Sequence, residues 1–455
     1  MAHIAVVTLP LAGHLDPMGA LVEALQARGH RVTVVGPPGV CELALAKMER
    51  IRTFALSTPT YPGHRLDDFL GRLPDVRGLR GIRGVIAEIA ALSELYAQAL
   101  PDALARLAPD ALVYDQLEPA AGIVARGLGL PHASVACALP MNREAHLPPP
   151  YLGWPLRDHA LWRSLYGGGY LVVDRLMRPQ AQVLEAACRR FDLPPLPDVS
   201  ACVSQACDLS QCAPGFDYPR KGGPEALGPL RRRRPLLPLG FERDGRELVF
   251  VSFGTLMGHR LELLERVARA CATHVVQCVI AHGGRLGPEE EAKLRALPGQ
   301  PVVRDYVDHR SVLNEARAAV LHGGLNSVLD ALGHGVPMVV LPLAFEQAAI
   351  AARVRRAGAG RIVRRPTVRR LEAALDAVLN NRSLRAKALG LARSNARAGG
   401  ADAAAARIEA QLPVPVSVPV PVPVSASVQR RVPEAITQPA SARAGPPGLR
   451  RSARR

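Results

Sequence analysis

The chain alternates between short, wholly apolar runs and longer stretches in which apolar residues recur at helical spacing. Residues 4–7 read as a buried strand. Met18, Leu21, Val22 and Leu25 follow at i, i+3, i+4 and i+7, one face of a helix, and Gly29 ends it in the usual C-terminal fashion. Residues 32–35 make the next strand, so the chain opens on a βαβ unit, the unit from which parallel sheets are built. The alternation runs to about residue 210 and restarts at residues 247–253. Residues 213–246 between them are rich in Pro, Gly and Arg, with an unbroken run from Arg231 to Arg234, and read as a linker. At 455 residues the chain exceeds the length at which single cores stop growing, so two α/β domains are expected.

Candidate chemistry gathers where predicted strands end. Residues 318–321 run into a helix whose apolar face is Leu325, Val328, Leu329 and Leu332. The turn between them is His322-Gly323-Gly324, followed by Asn326 and Ser327. Glycines lack a Cβ and let a ligand approach the backbone, while the first helical turn offers unpaired N–H groups and partial positive charge. That is a phosphate seat. Asp330, one turn on, can accept from a ribose, and Glu346 and Gln347 after the next strand can grip sugar hydroxyls. No Gly-Lys-Ser/Thr ending makes this a P-loop, and no Gly-x-Gly-x-x-Gly follows a predicted strand. A nucleotide sugar fits this set. Upstream, Gly13-His14 follows the first strand, on the loop where open α/β sheets bind ligands. A loop His is either a solvated side chain or a general base, and spacing alone does not choose.

The two sites together resemble those of the inverting, two-domain nucleotide-sugar glycosyltransferases that include plant, macrolide and carotenoid enzymes. The resemblance is closer to one branch, the bacterial zeaxanthin glucosyltransferases. It is carried by residues 115–120 (DQLEPA), 135–144 (VACALPMNRE), 252–260 (SFGTLMGHR), 268–271, 322–331 (HGGLNSVLDA) and 341–347 (LPLAFEQ), and spans about residues 1–410. It implies two facing Rossmann-like domains, the GT-B arrangement, with the active site in the cleft. The domains would be 1–212, binding the acceptor, and 247–411, binding the nucleotide sugar, joined by 213–246. A last helix, 384–412, would pack back on the first.

Residue by residue, the resemblance makes His14 the catalytic base and Asp115 the acid that orients it. His322, Gly324, Asn326, Ser327 and Thr255 fall at diphosphate-binding positions. Asp330 stands where the family usually has Glu on the ribose. Tyr306 lies where relatives place a Trp that stacks on uracil, and His309 at a base-reading Gln. Glu346 and Gln347 match the sugar-gripping pair, with Glu where the carotenoid branch often has Asp.

Composition narrows the partners. Residues 151–191 carry Tyr151, Trp154, Trp162, Tyr166 and Tyr170, in the part of the chain from which relatives build the acceptor pocket; a helical hairpin over the sheet is the other reading. No run of 18 apolar residues exists to span a bilayer, and no signal peptide is expected before the first strand. The net charge is +17, and only four of the 57 basic residues are lysine. Without a basic-aromatic module this basicity does not read as nucleic-acid binding; an anionic membrane surface fits it better. Residues 412–455, with Pro at nearly every second position and then Arg-rich, read as a disordered tail. The eight cysteines form no Cys-x-x-Cys pair and read as free thiols of a cytoplasmic protein, peripheral at most on the inner face of the cytoplasmic membrane. No Asp-x-Asp occurs, so no metal and no cofactor is expected beyond the donor itself.

The function expected is transfer of glucose from UDP-glucose to a hydroxylated carotenoid such as zeaxanthin, with inversion. A macrolide, polyketide or phenolic acceptor is the same-fold alternative. A catalytically silent nucleotide-sugar-binding scaffold is the alternative of a different class.

Overall fold

The computed structural model describes residues 1–62, 64–73 and 78–412. Two parallel sheets organise it. The first holds β1 (His3–Val7), β2 (Arg31–Gly36), β3 (Arg52–Ala55), β4 (Ala111–Asp115), β5 (His132–Ala136), β6 (Asp208–Ser210) and β7 (Glu225–Ala226), in the order β3-β2-β1-β4-β5-β6-β7. The second holds β8 (Glu247–Ser252), β9 (Val276–Ala281), β10 (Val302–Arg304), β11 (Ala316–Leu321), β12 (Met338–Val340) and β13 (Gly360–Ile362), in the order β10-β9-β8-β11-β12-β13. Helices cover both faces, which is why β1, β4 and β9 are buried at every residue and are mostly apolar.

Each strand order reverses once, between β1 and β4 in the first sheet and between β8 and β11 in the second. Crevices at the carboxyl ends of strands open at such reversals. Register makes the coincidence local. Val7 pairs with Tyr114, so the His14 segment and Asp115 leave the sheet side by side. Ser252 pairs with Leu321, so the turns at Gly254 and Gly323 do the same.

Three elements differ from the reading of the sequence. The first helix is Ala12–Ala27, starting at Leu11, so His14 lies in its first turn rather than on the preceding loop. Pro17, inside this helix, has no N–H for the Gly13 carbonyl, which accepts from Asn326 Nδ2 instead. The stretch 213–246 is more than a connection, because β7 within it extends the first sheet. The single helix expected over 384–412 is two, Arg382–Ala398 and Gly400–Glu409, broken where Gly399 takes φ 87° and Gly400 φ 55°. The earlier of the two lies against the helix Leu325–Gly333, and the later one against Ala12–Ala27, where Ala401, Ala404, Ala405 and Ile408 join the first core. The tail expected to be disordered lies, beyond Leu412, outside the described residues.

Candidate active site

His14 Nδ1 lies 2.6 Å from Asp115 Oδ2. A carboxylate only accepts, so Nδ1 carries the proton and Nε2 is left with its lone pair. Asp115 is fully buried, and its other oxygen accepts the Leu117 N–H at 3.0 Å. The buried Cys137 thiol is a further hydrogen-bond neighbour of this carboxylate. Burial pushes the His14 pKa down, but the charge and hydrogen bond of Asp115, with Glu346 beyond, outweigh it and the pKa is raised above 6.5. The imidazole can therefore take a proton and be held as imidazolium.

Facing this pair is the turn after β11. Gly323, at φ 94°, is in the left-handed region, and a Cβ there would meet Val340 at 3.0 Å. The His322 ring is clasped between two glycine turns: a Cβ on Gly324 would come within 2.6 Å of its Nε2, and one on Gly254 within 3.1 Å of its Cε1. Burial, with His309 nearby adding, lowers the His322 pKa to about 4, so the ring is neutral near pH 7. Its Nδ1 is buried without a hydrogen-bond partner, an orphan of the kind a ligand oxygen satisfies. Gly324 caps the helix Leu325–Gly333 with no side-chain hydrogen bond, so Asn326 and Ser327 sit in a first turn open to an anion. Thr255 is exposed on the neighbouring turn, and its carbonyl accepts from Arg285 Nε at 2.5 Å.

Asn326 joins the two halves. Its Nδ2 donates to the Gly13 carbonyl at 2.9 Å, and its Oδ1 accepts from Gln211 Nε2 at 2.9 Å. Asp330 is committed too: its Oδ1 accepts from Arg231 Nε at 2.6 Å, while Oδ2 stays outside that bond. Arg231 also donates to Gln211 Oε1 at 3.0 Å and to the Asn326 carbonyl at 3.2 Å. Gln211 and Arg231 were missed in the sequence. The signal for Arg231 was present in the four-arginine run, which reads as solvated chain until the fold turns its first member into the cleft.

Glu346 and Gln347, expected to grip the sugar, stand at the start of the helix Gln347–Arg356. Glu346 is its N-cap, and the preceding Phe345 takes φ 52°, a strained conformation for a residue with a side chain. Gln347 is buried, and its Oε1 accepts from Leu343 N at 2.8 Å and Ala344 N at 2.9 Å. Both partners are donors, so the carbonyl is the committed half and the amide N–H groups remain available. Tyr306 is 67% exposed and tethered at its tip, its hydroxyl donating to the Gly283 carbonyl at 3.0 Å. The ring face is open, as a stacking platform needs. His309 starts a helix and tilts on Phe250, centroids 5.2 Å apart; burial, opposed by Asp330, Asp308 and Asp16, lowers its pKa.

Two clusters among the described residues bring metal-ligand types together. In His14–Asp115–Cys137, burial and Asp115 hold the thiol well above its usual pKa, hence protonated. In His282–Glu291–Asp305, the His282 Nδ1 accepts from the N–H groups of Arg285 and Leu286, both at 3.1 Å. Its Nε2 therefore carries the proton, which faces Glu291 at 3.0 Å and Asp305 at 2.9 Å. Both are hydrogen-bonded sets rather than deprotonated ligand sets.

With this geometry in place, likeness to known proteins is informative. Residues 270–410 match the family described as Erythromycin biosynthesis protein CIII-like, C-terminal domain. The chain is 36% identical to a zeaxanthin glucosyltransferase of Pseudescherichia vulneris over 369 residues, covering 80% of this chain and 87% of that one. It is 34% identical to a zeaxanthin glucosyltransferase of Pantoea ananas over 367 residues, covering 79% and 84%. The crystal structure of the glycotransferase of kitacinnamycin superposes with a TM-score of 0.72 at 24% identity, covering 90% of this chain and 99% of that one, and shares the fold.

Proposed function

The chain belongs to the glycosyltransferase family of the bacterial zeaxanthin glucosyltransferases, and on that premise we propose that it transfers glucose from UDP-glucose to a hydroxylated carotenoid, with inversion and without a metal ion. The observation that carries the reading is the His14–Asp115 pair, 2.6 Å apart, across the cleft from the orphaned Nδ1 of His322 and the open helix turn at Asn326.

An alcohol is a poor nucleophile and must lose its proton as it attacks. His14 Nε2 takes that proton while the acceptor oxygen bonds to the anomeric carbon and the bond from that carbon to the diphosphate oxygen breaks. A positioned base contributes about 10² to 10⁴ in rate. The departing diphosphate carries its charge onto donors already in place: the first-turn N–H groups, His322, Asn326, Ser327 and Thr255. Attack from the side opposite the leaving group inverts the carbon. Tyr306 stacks on the uracil with His309 at its edge, Asp330 accepts from the ribose through Oδ2, and Glu346 with Gln347 holds the hexose. The acceptor lies along the aromatic segment from Tyr151, which is close enough to Glu346 to feel its charge. Contact with an anionic membrane belongs to the same reading, since such an acceptor dissolves in lipid.

The test incubates the protein with UDP-glucose and zeaxanthin in detergent and EDTA, followed by chromatography for polar pigments. A glucoside supports donor, acceptor and metal independence together. UDP release without a glucoside sends the acceptor to the macrolide, polyketide or phenolic class, and product only from other nucleotide sugars replaces the donor. Neither product nor UDP sinks the reading in favour of a silent binding scaffold.

A further inference from the structure

The helix Ala160–Leu176 buries only Tyr166 and Gly169 of its 17 residues. Its packed side is narrow. Trp154 stacks on Tyr166 with centroids 6.2 Å apart, Trp162 tilts on the same ring at 6.0 Å, and a Cβ on Gly169 would meet Trp154 at 2.8 Å. Leu161, Leu165, Val172 and Leu176 lie on a different face, at the spacing of a single stripe one above the other. They are 71%, 44%, 61% and 39% exposed, and Leu171 beside them is 72% exposed. A helix of a water-soluble domain turns its apolar stripe inward. This one packs by its aromatic side and presents a second, aliphatic side to solvent.

The charges around the stripe have one sign. The segment's acids, Asp158 and Asp174, are each neutralised, by Arg163 at 2.5 Å and by Arg143 respectively. Arg157, Arg175 and Arg178 are exposed and form no ion pair among the described residues, one before the helix, one beside the stripe and one just past its end. A second copy docked antiparallel on this face would bring arginine against arginine. The surface complements an apolar layer bounded by negative charge.

We propose that the helix Ala160–Leu176 seats the protein on an anionic bilayer, its aliphatic stripe at the boundary of headgroups and acyl chains and its arginines among the headgroups. The placement explains its position in the chain. Residues 151–157 lead from this helix to the cleft, and Gly153 backs so closely onto the helix Gln347–Arg356 that a Cβ would meet the Ala348 carbonyl at 2.8 Å. An apolar acceptor taken up at the stripe would then enter beside residues 151–157, which adjoin the helix that carries Gln347. This purpose rests on the carotenoid reading above; the binding itself does not.

The test sediments the full chain with vesicles of phosphatidylcholine alone or with one third phosphatidylglycerol. Wild type is expected to partition onto the anionic vesicles. A variant carrying Leu161→Gln, Leu165→Gln, Val172→Gln and Leu176→Gln is expected to lose at least tenfold in partitioning, with its melting temperature and UDP binding unchanged. Arg157→Ala, Arg175→Ala and Arg178→Ala should each cost about fivefold on anionic vesicles and nothing on neutral ones. Equal sedimentation of wild type and the quadruple variant overturns the proposal. So does a wild-type dimer that the quadruple variant makes monomeric. Failure of zeaxanthin as acceptor, with the sedimentation pattern intact, overturns only the acceptor.

Discussion

The Nδ2 of Asn326 donates to the carbonyl of Gly13 at 2.9 Å, one residue before His14. The helix turn at Asn326, the proposed diphosphate seat, is thus bonded to the first turn of the helix that carries His14, the proposed base. The two motifs, more than 300 residues apart in sequence, meet as one site. Asn326→Ala removes this tie and a diphosphate donor together, so the Michaelis constant for the donor is expected to rise about tenfold and kcat to fall with it. A pure diphosphate contact would move the donor constant alone, and initial-rate kinetics separate the two outcomes.

His14 must be neutral to accept a proton. Its pKa is raised above 6.5, burial being outweighed by Asp115. The ascending limb of kcat/KM against pH therefore falls above 6.5, activity being lost as pH drops through that value. Asp115→Asn removes the charge that raises it. The limb is then expected to move down in pH, while kcat falls about 10² to 10⁴ because the tautomer is no longer fixed. A limb that does not move would show that another group titrates.

Arg231 places its guanidinium against Asp330, Gln211 and Asn326. Arg231→Gln leaves the Asp330 carboxylate, 15% exposed, without its counter-ion. The donor constant is expected to rise about tenfold and the melting temperature to drop. Arg231→Lys does not restore either, since a point charge cannot serve three partners. Isothermal titration with UDP reads the effect directly.

Much of this was legible in the chain. Periodicity located the strands that carry the site because parallel strands buried on both faces leave short apolar runs, as at residues 111–114 and 318–321. The glycine turn at Gly323 and Gly324 marked its own chemistry. What stayed hidden depended on long-range placement. Arg231 looks like linker until β7 anchors the chain and aims it. Cys137 and Gln211 are ordinary buried residues until Asp115 and Asn326 arrive beside them. The first turn of the helix Ala12–Ala27 stayed hidden because Gly13 and His14 add nothing to the apolar face that periodicity traces from Met18.

Glu118 is 1% exposed, three residues past Asp115, with Oε1 unpartnered. Burial, partly offset by hydrogen bonds to Ser93 and the Ala120 backbone and reinforced by Asp115, pushes its pKa up to about 8. The folded protein thus holds a proton there that the unfolded chain releases near pH 4.5, so stability falls as pH rises from 4.5 to 8. Each unit of displacement is worth about 1.4 kcal/mol. Glu118→Gln keeps the shape and removes the titration. Its melting temperature is expected to match wild type near pH 4.5 and to exceed it by several degrees at pH 8, which thermal melts across that range would check.

The chain passes between its two halves twice, once after β7 and once at Gly399. The passes touch: the Gly400 N–H donates to the Leu227 carbonyl at 2.8 Å, and a Cβ on Gly228 would meet Ala398 at 3.2 Å. Two crossings side by side define one hinge line, whereas two far apart would lock the halves like a double-bolted door. A rotation of one half against the other about that line would pivot at Gly228, Gly399 and Gly400, all three at positive φ and away from His14 and Asn326.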